Sequence, residues 1–101
     1  MRSTNPSICI PRTTLDVNER LVRSVFNKYK LGPIKQIDII HNAQHSNKRI
    51  FVHFKYWNMM SEKSKQILHR LENGEKINII YDFPWYWKCH KSKAKKSPFK
   101  P

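Results

Sequence analysis

Arg49, Phe51 and His53 stand two residues apart within the run Lys-Arg-Ile-Phe-Val-His-Phe over 48–54. In an extended chain that spacing puts a cation, an aromatic ring and a titratable ring on one side, and Ile50, Val52 and Phe54 on the other. The apolar set suits a core. The polar and aromatic set suits base stacking and phosphate contact, although an outward Arg or His also occurs on ordinary half-buried strands. A second group of rings, Phe83, Trp85, Tyr86 and Trp87, lies towards the C-terminus, followed by Lys88, Lys91, Lys93, Lys95 and Lys96. Trp85 and Trp87 could stack bases while those lysines neutralise phosphates. The same rings could instead plug a sheet or meet a protein partner.

Charge points the same way. Twenty Lys and Arg stand against seven Asp and Glu, for a formal net charge of +13. All seven acids precede residue 88, and the six lysines after Trp87 have no acid among them. A body and a tail that are both basic suit a polyanion, nucleic acid first. An anionic membrane surface fits less well, because no amphipathic apolar helix accompanies the tail. No apolar run reaches the roughly 18 residues of a membrane helix. The first residues carry no apolar run of signal-peptide length, and two cysteines are too few for a disulfide scaffold. The expectation is an intracellular protein with reduced thiols, not a secreted one.

The elements that must position these groups follow from periodicity. Residues 7–10 read as a short strand ended by Pro11. Asp16 and Glu19 have capping-box spacing, and Val17, Leu21, Val22, Val25, Phe26 and Tyr29 recur at helical spacing up to Gly32-Pro33. A strand over 34–40, a polar loop over 41–47 and the strand ending at Phe54 come next. Ser61 or Asn58 caps a second helix that Gly74 ends, and 76–81 reads as a fourth strand. The order is β-α-β-β-α-β. With right-handed crossovers it predicts an α+β, ferredoxin-like two-layer sandwich: a four-stranded antiparallel sheet with two helices on one face. Arg49, Phe51 and His53 then lie on the uncovered face.

At this point the chain resembles the RNA recognition motif (RRM) family over roughly residues 7–81. The family's third-strand octapeptide aligns with 47–54, where Phe51 matches the exposed stacking aromatic and Val52 and Phe54 match core positions. The first-strand hexapeptide aligns with 8–13. There Ile8 and Ile10 match, while Cys9 replaces one stacking aromatic and, on the third strand, Arg49 replaces another. The phrase Tyr-Asp-Phe-Pro-Trp-Tyr-Trp-Lys-Cys over 81–89 is similar to endings of short RRM-like proteins of large DNA viruses of protists. If the protein is viral, the resemblance implies a place in the host cytoplasm, the nucleus or the virion. The domain reading is one RRM-like domain over 7–87, aromatic extension included, and a basic tail over 88–101 too poor in apolar residues to fold alone.

Metal and catalytic chemistry find less support. His41 and His45 are four apart, but in a loop that spacing does not align two rings. Cys89-His90 lacks a second pair at zinc spacing. An acylphosphatase-like site would need a glycine-rich anion loop after the first strand, where only Arg12 stands beside Pro11. A replication nuclease would want a His-apolar-His strand, and His53 has no such neighbour. Neither an enzyme nor a cofactor is expected. The reading is single-stranded nucleic-acid binding, RNA ahead of DNA, through Arg49, Phe51, His53, Trp85, Trp87, Lys88, Lys91, Lys93, Lys95 and Lys96. The alternative of a different class is a small structural protein that docks a capsid or a packaged genome through the aromatic segment and the tail.

Overall fold

The computed structural model describes residues 6–92. In chain order the elements are β1 (Ile8–Thr13), α1 (Glu19–Tyr29), β2 (Ile34–Asn42), β3 (Asn47–Phe54), α2 (Glu62–Glu72), β4 (Ile77–Asp82) and β5 (Trp85–Lys91). The five strands make one antiparallel sheet in the order β2-β3-β1-β5-β4.

The four-stranded ferredoxin-like arrangement expected from sequence is therefore wrong. Its missing part is β5, which occupies the place beside β1 that the fourth strand was expected to take. Trp85, Trp87 and Cys89 alternate with Tyr86, Lys88 and His90, and within that alternation Trp87 and Cys89 are buried while Lys88 is exposed. This is the period-two pattern of a strand with one side in a core. The turn after β4 sends the chain back against Ile77 and Ile79, which face Cys89 and Trp87 in register. Two antiparallel steps separate β1 from β4, so β4 runs in the direction of β1 and opposite to β3. The β3–α2–β4 connection is thus not a second parallel crossover.

Both helices still join one core. Val22, Val25 and Phe26 of α1 meet Leu68 and Leu71 of α2 and the inward strand residues Ile8, Ile10, Ile50 and Val52 in a single cluster. Phe26 is its pivot, edge-on to Phe54 at 6.3 Å and stacked with Trp87 at 6.5 Å between centroids. Such ring pairs add about 0.5–1.5 kcal/mol each beyond the area they bury. Buried Trp57 donates from Nε1 to the Ser64 carbonyl at 2.7 Å, tying the loop after β3 to the first turn of α2.

The helix ends differ in detail from the sequence reading. Asn18, not Asp16, caps α1: its Oδ1 accepts from the Leu21 N–H at 2.9 Å, while Asp16 accepts from the Thr14 hydroxyl. Lys30, in the left-handed region at φ 55°, closes the other end. Ser61, one of two candidates, caps α2. Gly32 serves a close approach, not the helix end. It sits at φ 146°, and a Cβ there would lie 2.2 Å from the Tyr56 carbonyl oxygen. The Asn58 N–H donates to Leu31 O at 2.8 Å and the Lys55 N–H to Pro33 O at 2.9 Å, holding the two segments together. Gly32→Ala is expected to cost about 1–3 kcal/mol in backbone strain alone, and more once the Tyr56 peptide is displaced. A thermal melt unchanged from the parent would show that this approach is not needed.

Candidate functional site

The side of the sheet opposite the helices is a grid set by register. Asp38 on β2, Phe51 on β3, Cys9 on β1 and His90 on β5 form one rung. Beside it Arg49 pairs with Ile40, and Lys88 pairs with Asn78. On the other flank His53 pairs with Gln36. Adjacent strands lie about 4.8 Å apart, so neighbouring members of a rung are within reach of one ligand ring.

Phe51 is half-buried and Arg49 exposed, which leaves a ring face and a guanidinium accessible side by side. No ion pair holds Arg49 among the described residues. It borders a hollow of about 280 Å³ lined by Pro11, Ile40 and Asn42. Cys9 belongs to this side by alternation, yet it is only 5% exposed, set between Phe51 and His90. Burial pushes its thiol up, and Arg49 partly offsets that. Burial pushes Cys89 up further, with Cys9 adding to the effect, so at neutral pH both cysteines are protonated. Among the described residues no group of three His, Cys, Asp or Glu side chains is arranged to hold a metal ion.

His53 is partly exposed, but both of its ring nitrogens have partners. Its Nδ1 lies 2.6 Å from Ser7 Oγ and its Nε2 lies 2.9 Å from Asp38 Oδ2. The tautomer that satisfies both has Nε2–H donating to the carboxylate and Nδ1 accepting from the hydroxyl. With both nitrogens engaged, His53 braces β1, β2 and β3 and is not a free hand for phosphate. The Asp38 carboxyl is held below the usual carboxylate range, first by the Gln36 amide donating at 2.6 Å and then by His53, against partial burial. Its folded-state value is depressed, so what Asp38 adds to stability is in place above the ordinary carboxylate range. That share is lost as pH falls through the lowered value.

The aromatic segment divides in a way composition does not reveal. Trp87 is 4% exposed, stacked with Tyr81 at 4.7 Å and with Phe26 at 6.5 Å, so it is a core ring and not a surface for bases. Trp85 shares the helix-side parity of Trp87 but lies near the sheet end and is 63% exposed. Tyr86, absent from the sequence-derived set, belongs to the open side and is 48% exposed. His90, also absent from that set, sits beside Cys9, where the resemblance placed a missing stacking ring. Alternation along β5 was the signal that could have found both. Lys88 is exposed on the open side, and Lys91 is exposed where β5 faces Ile8. Lys93, Lys95 and Lys96 lie outside the described residues.

No helix among the described residues is long and apolar enough to cross a membrane. No protein-family model matches the chain, and the searches of curated proteins and of solved structures gave no significant match.

Proposed function

We propose that the protein binds single-stranded nucleic acid across the open side of its sheet, with RNA favoured by the third-strand resemblance. The observation that carries this reading is the rung around Phe51. An accessible ring stands beside Arg49, with His90 one strand beyond Cys9 and Lys88 and Tyr86 further along β5. The one acid on the rung, Asp38, is already engaged by Gln36 and His53. Phe51 stacks a base, Arg49 and Lys88 meet phosphates, and the chain's net charge of +13 draws the polyanion in.

Stacking on an aromatic side chain is worth about 1–3 kcal/mol by alanine substitution. Phe51→Ala is expected to lose roughly five-fold to over a hundred-fold in affinity for a short single-stranded oligonucleotide at fixed salt. The slope of log affinity against log salt should stay the same, because no phosphate contact is removed. A variant that loses stability and keeps its affinity would make Phe51 a packing residue and remove the proposal's main support.

A second reading, docking to a protein such as a capsid, has its own observation. Phe83 lies in the β4–β5 turn and Trp85 directly after it, and they are 81% and 63% exposed. Replacing both with Ser separates the two readings: oligonucleotide affinity should hold, whereas docking to particles would be lost.

A further inference from the structure

The open side is not the only place where aromatic rings and a cation converge. β1 and β5 are in register only at Ile8↔Lys91 and Cys9↔His90. Past that point Pro11 has no N–H to offer β5, and the register of β1 against β3 shifts between Ile10 and Thr13. β1 therefore follows β3 while β5 turns away with β4. Between the diverging ends lies a cleft of about 550 Å³, bordered by the β2–β3 turn. Its walls include Arg12, His45, Asn47, Tyr81, Tyr86 and Trp87.

The composition of this cleft is specific. Tyr81, held by the buried Trp87 ring stacked on it 17° from parallel, supplies a rigid apolar wall, and half-exposed Tyr86 stands on the open side of it. Arg12 is an exposed guanidinium with no ion pair among the described residues. Asn47 presents an amide that can both donate and accept, and His45 an imidazole, the groups that read a base edge. Volume falls within the range of small-molecule sites, and the mix of apolar wall and few polar groups is their usual make-up.

We propose that this cleft is a pocket for one nucleotide, with the base against Tyr86 and Tyr81 and the phosphate on Arg12. In the protein's use it rests on the nucleic-acid reading above, because a strand lying on the open side would send one nucleotide past Tyr86 into the split between β1 and β5. The open side would then supply affinity and the cleft would supply base preference.

The test uses the full chain and the four ribonucleoside 5′-monophosphates, followed by amide chemical shifts, with inorganic phosphate as a further ligand. Saturable shifts at Arg12, Asn47 and Tyr86, unequal among the four bases, are expected. Arg12→Gln and Tyr86→Ala should each weaken them roughly ten-fold. Both side chains are exposed enough that the melts should match the parent, and Arg12→Gln alone decides the matter if Tyr86→Ala does not fold. Shifts confined to the Phe51 rung, or inorganic phosphate binding as well as any nucleotide, would overturn the pocket and leave oligonucleotide binding untouched. Nucleotides bound in the cleft by a chain that ignores oligonucleotides would uphold the pocket and sink the nucleic-acid reading.

Discussion

A chain ended after Trp87 should not fold. Sequence alone invites that cut, because the lysines from 88 onward look like a detachable tail. The cut in fact removes half of β5. It takes away Cys89, which is fully buried opposite Ile77, and with it the Asn78↔Lys88 pairing. Also lost are both pairs that join β1 to β5, and the hydrogen bond from Ser92 N–H to Ser7 O at 2.7 Å. β4 would keep only the first residues of its partner. A domain of this size has about 5–15 kcal/mol to lose, and losing a central strand pairing exceeds that. Circular dichroism and a thermal scan should show no cooperative transition for 1–87. A normal melt for 1–87 would mean that β5 is dispensable and the five-stranded sheet misassigned. The consequence for function is practical. A tail deletion meant to measure phosphate contacts has to begin after Ser92.

Trp87→Ala should cost about 3–5 kcal/mol of stability, the usual range for emptying a buried aromatic site. For a domain of 60–100 residues each kcal/mol lowers the melting temperature by about 4–8 °C, so the fall should exceed about 12 °C. The physical reason is that Trp87 is shared by two layers: Phe26 of α1 lies against it, and Tyr81 of β4 stacks on it at 4.7 Å. A void there would loosen α1 and the β4–β5 hairpin together. Under conditions where the variant is still folded, its oligonucleotide affinity should stay within a factor of about two, because a ring 4% exposed offers no face to a base. Lost affinity with an unchanged melt would return Trp87 to the binding surface.

These results separate what is local from what is not. The two sides of β3 were legible in residues 48–54, because alternation along a strand is a property of the strand itself. Ile50, Val52 and Phe54 are buried as that pattern requires, and Arg49 is exposed. The stripe of α1 and the Ser61 start of α2 were legible for the same reason, since spacing and capping act within a few residues.

Position in the sheet was not legible. The segment 85–91 carries its own alternation, but dense rings followed by lysines also describe an extension. Only a hairpin partner in β4 and a free edge on β1 make it a strand. Once it inserts between them, Trp87 goes into the core and Trp85 stays out, although composition treats the two alike. His53 shows the same limit: its role depends on Ser7, 46 residues away, and Asp38, 15 residues away. The cleft beside Arg12 exists because Pro11 and a register shift part β1 from β5. By itself the sequence determined where the first four strands and both helices lie and which side of α1 and β3 is apolar, through short-range periodicity. Tertiary structure decided strand order, the burial of Trp87 and the opening between β1 and β5, because each depends on which distant segment supplies the missing hydrogen bonds and apolar contact.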